Sequence, residues 1–244
     1  TGVGILSQPT LPKIDGIESF EGQSFHTARW PHTPVEFAGK RVAIIGTGAS
    51  GVQVIQEVCK EASHLTVFQR RPNWCAPLHN SNIQPDEMKA IKAGYKEMFE
   101  LCGQTRAGFL HTADPRSTFE VSEKERYEFW EHLYASKGFG IWQGNFIDVL
   151  TDPEANKAMS DFLANKIRER VDDPEVAEQL IPKDHGFGTR RVPLETGYYE
   201  SYNRENVELI DINETPIERI TPGGILTTDK EFNFDLIIYA TGFN

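Results

Sequence analysis

Six residues constrain this chain more than any others. Gly46-Thr-Gly48-Ala-Ser-Gly51 follows directly on Arg41-Val-Ala-Ile-Ile45, an apolar β-branched run. Such a run suits a parallel strand buried on both faces. A helical pattern follows the glycines, with Val52, Ile55, Val58 and Cys59 on one face and Gln53, Gln56, Glu57 and Lys60 on the other. Leu65-Thr-Val-Phe-Gln69 reads as a second strand. Together these make a β-α-β unit, whose crossover is expected to be right-handed. A G-x-G-x-x-G at such a junction is a dinucleotide fingerprint. Gly46 permits the tight turn, Gly48 lets the backbone approach a pyrophosphate, and Gly51 lets the helix pack on the strand. Free amides at the helix start then face the anion. The plainer reading is a structural glycine turn.

The second strand bears on which nucleotide is bound. An NAD site carries an Asp or Glu there, about 20 residues on, for the ribose hydroxyls. Here the strand ends in Gln69-Arg70-Arg71, and no acid stands between Glu61 and Asp86. Lys plus Arg number 25 against 36 Asp plus Glu, a net charge of −11. Two adjacent guanidiniums in so acidic a chain suit a 2′-phosphate, which Arg can hold bidentately. The expectation is NADP(H) over NAD(H); the alternative is a solvated pair at a strand end. The acidity also argues against nucleic acid as a partner. No stretch approaches the ~20 apolar residues of a membrane span, and Thr1-Gly2-Val3-Gly4 opens no signal peptide. Cys59, Cys75 and Cys102 include no CxxC, so neither a disulfide scaffold nor a metal site is expected, and a cytoplasmic location is.

Residues 1–40, broken by Pro9, Pro12, Pro31 and Pro34, read as loops. The middle reads as helical. Met88, Ile91, Tyr95, Phe99 and Cys102 recur at spacings of three and four, and Ser122 with Glu125 has capping-box spacing. Asp152-Pro153 and Asp173-Pro174 each place an N-cap acid before a first-turn proline. Strands return with Val207–Asp211, with a hairpin of Ile217–Ile220 and Ile225–Thr228 around Thr221-Pro-Gly-Gly224, and with Phe234–Ala240. The expected fold is α/β: a Rossmann-type NADP-binding domain with an inserted helical subdomain. Residues 37–82 and 182–240 form the first and 83–181 the second, with 1–36 as a linker.

Three motifs add a family. Phe20-x-Gly22-x-x-x-His26-x-x-x-Trp30-Pro31 resembles the FxGxxxHxxxWP fingerprint of Baeyer–Villiger monooxygenases. Asp235-x-x-x-x-Ala240-Thr241-Gly242 is similar to that family's second signature. Gly186-Phe-Gly-Thr-Arg-Arg191, followed by Tyr198-Tyr199 and Asn203-Arg204, resembles its block after the helical insertion. The resemblance runs over essentially the whole chain. It implies an NADPH- and FAD-dependent enzyme of the type I class: NADPH reduces FAD, O₂ adds to give a C4a-peroxide, and the peroxide converts a ketone to an ester or lactone.

By that resemblance Thr47, Gly48, Ala49, Ser50, Gly51, Val52 and Gln53 hold the NADP pyrophosphate and ribose. Arg70 and Arg71 face the 2′-phosphate; the family commonly has Thr at the second position. Arg190 stands where the family has a Lys that makes a further 2′-phosphate contact. Arg191 takes the place of the catalytic arginine, stabilising the peroxide and the developing charge of the tetrahedral adduct. His26 organises the linker by hydrogen bonds and Trp30 packs it. The family's first GxGxxG, which binds FAD, has no counterpart here, and neither has the acid that partners its catalytic arginine. Thr1-Gly2 is similar to an earlier strand end, and residues 241–244 to the start of a return to the FAD domain. The chain is therefore expected to be an internal piece whose partners are the FAD domain of the same protein, a ketone and O₂. The alternatives are an N- or S-oxygenating flavin monooxygenase, separable by product analysis, and an isolated NADP-binding module without turnover. A purely structural helical domain does not explain the glycine loop.

Overall fold

The computed structural model describes residues 2, 4, 6–105 and 107–243. Thr1 and Asn244, on which the reading of the two chain ends partly rests, lie outside them. In chain order the described elements are β1 Gln23–His26, β2 Arg41–Ile45, α1 Ala49–Val58, β3 His64–Gln69, β4 Ala76–Pro77, α2 Pro85–Ala93, α3 Tyr95–Gln104, α4 Glu123–Ala135, α5 Gly140–Gln143, α6 Pro153–Arg170, α7 Pro174–Leu180, β5 Leu194–Glu195, β6 Val207–Asp211, β7 Ile217–Thr221, β8 Gly224–Thr227, β9 Glu231–Asn233 and β10 Leu236–Tyr239. They fall into two compact units. The first comprises Thr1–Asn73, Lys166–Lys183 and Gly197–Asn244, and the second Trp74–Asn165 and Asp184–Thr196.

The first unit is built on a parallel sheet of order β1-β10-β2-β3-β6. Val42, Ala43 and Ile44 of β2 and Leu236, Ile237 and Ile238 of β10 are wholly buried, as continuous apolar runs in a two-sided sheet must be. Chain order reverses between β2, whose sequence neighbour β3 lies on one side, and β10, which joins on the other. That reversal is a topological switch point, the crevice where open α/β sheets take ligands. α1 buries Val52, Ile55, Val58 and Cys59 as its periodicity predicts. It also buries Gln56, expected on the outer face, where the Gln56 Nε2 donates to Gln53 Oε1 at 3.2 Å.

Four strands depart from the sequence reading: β1, β9 and the short parallel pair of β4 and β5. Gln23–His26, expected as loop, pairs with β10 from Gln23↔Leu236 to His26↔Tyr239. The prolines of residues 1–40 interrupt helix, but the four proline-free residues of β1 suffice to cover the sheet edge that β10 would otherwise expose. The expected hairpin is present as antiparallel β7 and β8, and β9 extends it to three strands. Ile220, Ile225 and Phe234 cluster with Ala43, Ile45, Phe68, Ile237 and Tyr239, so this small sheet shares a core with the large one.

The second unit is mostly helical. Trp130, Ile141, Phe146, Met159 and Phe162 form its buried interior. Asn145 lies among them with every polar atom paired: Oδ1 accepts from Trp130 Nε1 and Phe146 N, and Nδ2 donates to Ile141 O. The caps follow the sequence. Ser122 Oγ accepts from Glu125 N, Asp152 Oδ1 from Ala155 N and, in the first unit, Asp173 Oδ1 from Glu175 N and Val176 N. The periodic face from Met88 to Cys102 buries no residue. A break at Gly94 divides it into α2 and α3.

Candidate nucleotide-binding site

The glycine loop is shaped by what surrounds it. Gly46 has φ +105°, and a Cβ there would stand 2.6 Å from the Ala240 carbonyl oxygen. Gly51, in the first turn of α1, would place a Cβ 2.3 Å from the Gly46 oxygen. Gly48 differs: its φ of −72° is open to any residue, and a Cβ would meet nothing within 4 Å. Gly46 and Gly51 are thus required by the fold, whereas Gly48 keeps a space clear outside it. α1 begins at that space without a side-chain cap, so its first amides have no partner from the helix itself.

Around the loop is a cleft of about 540 Å³, formed where the parallel strands end. After β2 come Gly46, Thr47 and Gly48; after β3, Arg70 and Arg71; after β10, Ala240, Thr241 and Gly242; after β6, Ile212. Thr10, Pro12 and Ile14 add a further wall, which the sequence reading did not anticipate. That segment is fastened to the end of β10: Thr10 N donates to Gly242 O at 2.9 Å, and Thr241 Oγ1 to Thr10 O.

None of the lining residues is acidic. Arg70 and Arg71 are both exposed, and the Arg70 guanidinium makes no ion pair among the described residues. Thr47, almost fully buried, donates its hydroxyl to the Arg71 carbonyl at 2.8 Å, which ties the glycine loop to the basic strand end. The cleft thus combines uncapped helix amides, a glycine with open space beyond it and two cations. These features fit a dinucleotide with an extra phosphate.

The other expected site residues lie elsewhere. Val52 is buried against the sheet, and Gln53 is exposed on α1. Arg190 and Arg191 are exposed and belong to the second unit. There Arg190 Nη2 lies 3.2 Å from Asp184 Oδ2, while Asp184 Oδ1 lies 2.7 Å from His185 Nδ1. The His185 bond, helped by the Arg190 charge, holds the Asp184 carboxyl below the usual carboxylate range. His26 is buried, and its Nδ1 accepts from Ala28 N at 3.0 Å, which puts the neutral ring's proton on Nε2. Burial lowers its pKa from the ordinary 6.5. Trp30 packs edge-on against Phe25, with ring centroids 4.8 Å apart.

Residues 1–102 match the flavin-binding monooxygenase-like family. The chain is 50% identical over 250 residues to the 2-oxo-Delta(3)-4,5,5-trimethylcyclopentenylacetyl-CoA monooxygenase of Pseudomonas putida, covering 100% of this chain and 46% of the relative. It is 46% identical over 244 residues to the cyclopentanone 1,2-monooxygenase of a Comamonas species, covering 99% of this chain and 44% of the relative. It superposes on the crystal structure of OTEMO in complex with FAD and NADP with a TM-score of 0.97 at 51% identity, over 99% of this chain and 47% of that one. Along its whole length the chain is thus similar to a segment of the type I Baeyer–Villiger monooxygenases. It spans slightly under half the length of the relatives it matches. Its α/β architecture, with the five-stranded parallel sheet and helical segments, is theirs. No described helix is long and apolar enough to cross a membrane.

Proposed function

We propose that this chain is the NADPH-binding part of an FAD-dependent Baeyer–Villiger monooxygenase that oxidises ketones to esters or lactones with O₂. One observation carries the reading: the glycine loop, the uncapped start of α1 and the Arg70–Arg71 pair border one cleft at the switch point, and no acid lines it. In this reading residues 37–82 and 182–240 are the NADP-binding domain, 83–181 its helical insertion and 1–36 the linker. The amides of Thr47–Gly51 hold the pyrophosphate, and Gly48 leaves room for its oxygens. Val52 anchors the helix while Gln53 contacts the ribose side. Arg70 and Arg71 bind the 2′-phosphate. Arg191 fixes positive charge where negative charge develops on the oxygenated substrate, at no reorganisation cost during the reaction. When bound, NADPH supplies a hydride and FAD the oxygen-activating chemistry. The known relatives named for ketone substrates support a ketone as substrate here.

The test is product analysis with the full-length protein loaded with FAD. A small cyclic ketone, NADPH and O₂ are expected to give a lactone in proportion to the NADPH consumed. Oxygenation of a thioether or an amine with no lactone from any ketone would refute the assignment.

A further inference from the structure

The basic end of β3 is held by a backbone clamp that its own sequence does not announce. Three successive carbonyls each accept a hydrogen bond from a different place. Gln69 O accepts from Ile212 N at 2.9 Å, Arg70 O from Asn213 Nδ2 at 2.6 Å and Arg71 O from Thr47 Oγ1 at 2.8 Å. Thr47 belongs to the glycine loop, and Ile212 and Asn213 follow β6. Both neighbours of the segment therefore grip it.

Asn213 is itself locked. Its backbone N donates to Asp211 Oδ1 at 2.8 Å, and its Nδ2 lies 2.7 Å from the same oxygen. This is an Asx turn at a strand end. It leaves the side-chain amide with two acceptors for its two hydrogens, one of them the Arg70 carbonyl.

We propose that Asn213 is a positioning residue for recognition of the NADP 2′-phosphate, fixing the Arg70 peptide so that the guanidinium is presented to the cleft. The inference rests on the reading of Arg70 as a 2′-phosphate ligand. An exposed arginine on a loose strand end loses backbone and rotamer freedom on binding, and anchoring the backbone beforehand removes part of that cost. Asn213 makes no contact with NADP in this role; it acts through Arg70.

The experiment is calorimetric titration of the purified chain with NADPH and with NADH, in the wild type and in Asn213→Ala, Arg70→Ala and the double variant. Thermal melts confirm that each is folded. Asn213→Ala is expected to weaken NADPH about fivefold, the worth of one hydrogen bond, and to leave NADH within about twofold. In the Arg70→Ala background it is expected to add no further loss. Asn206→Ala is the matched control, since the Asn206 amide bonds two other carbonyls, of Cys59 and Ala62; it is expected to leave the NADPH-to-NADH ratio unchanged. If Asn213→Ala does not melt cooperatively, Asn213→Ser, which keeps a short polar side chain, takes its place with the same expectation. Wild-type NADPH affinity in Asn213→Ala, equal losses for both nucleotides, or a further loss in the double variant would each overturn the positioning role. A wild type that binds both nucleotides equally and is indifferent to Arg70→Ala would instead refute the reading of Arg70.

Discussion

Gly48 and Gly51 stand three residues apart in one motif, yet the structure assigns them separable duties. An alanine at position 51 gains up to about 1 kcal/mol of helix propensity. Against that gain its Cβ would stand 2.3 Å from the Gly46 carbonyl oxygen, part of a backbone with no rotamer to escape into. Overpacking of this kind costs about 1–3 kcal/mol, and a backbone obstacle puts it at the upper end. The net is a loss of roughly 2 kcal/mol, which lowers Tm by about 4–8 °C in a chain of this size. An alanine at position 48 meets nothing within 4 Å, and its φ of −72° is unstrained. Only N-cap preference is lost, so the cost to folding stays within about 1 kcal/mol. The new methyl, however, occupies the space through which a pyrophosphate would reach the loop amides. NADPH affinity is expected to fall at least about tenfold, or 1.4 kcal/mol. Thermal melts followed by calorimetric titration read both quantities. Gly51→Ala should lose stability, and Gly48→Ala should lose binding while melting near wild type. Wild-type NADPH affinity in Gly48→Ala would refute the reasoning, as would a fall in its Tm as large as that of Gly51→Ala.

Three further outcomes follow from other parts of the molecule. Burial depresses the pKa of His26, so the folded state favours the neutral ring; its contribution is full above about pH 6.5 and is lost as pH falls through the lower folded value. His26→Asn keeps an acceptor for Ala28 N and is expected to flatten that part of the stability profile; an unchanged slope between about pH 7 and 5 would contradict it. In the second unit, Asn145→Ala strips the Trp130 indole and the Phe146 amide of their buried acceptor and should cost about 2–3 kcal/mol, whereas an unchanged chemical-denaturation midpoint would show the network to be dispensable. Asp235→Asn breaks an ion pair with Arg41 whose partners are 40% and 48% exposed, so a denaturation series should find a loss of no more than about 1 kcal/mol; a larger loss would mean the pair is less screened than its exposure implies.

The parts of the fold that were legible are those written in adjacent residues. β2, the glycine loop, α1 and β3 follow one another, and each declares itself by period or by turn chemistry. The N-caps of α4 and α7 were legible for the same reason, because Ser122 and Asp173 bond to amides two or three residues on. β1 was not legible, because its partner β10 lies more than 200 residues away and QSFH has no strand pattern of its own. The face from Met88 to Cys102 shows the converse: helical spacing was present, but no core was supplied for it to bury against. At the site, the glycines and the arginine pair were visible as motifs. The Thr10–Ile14 wall and the Asn213 clamp were not, since both depend on which loops the parallel sheet gathers at its carboxyl end. Asp211-x-Asn213 after a strand was the one local signal, and by itself it indicates only a turn.

The most direct measurement is calorimetric titration of the purified, folded chain with NADPH and NADH side by side, then of Arg70→Ala. Saturable NADPH binding at least about tenfold tighter than NADH, with the difference largely lost in the variant, is the expected result. Equal affinity for the two nucleotides, or a preference that survives Arg70→Ala intact, would contradict the assignment of this cleft to NADP.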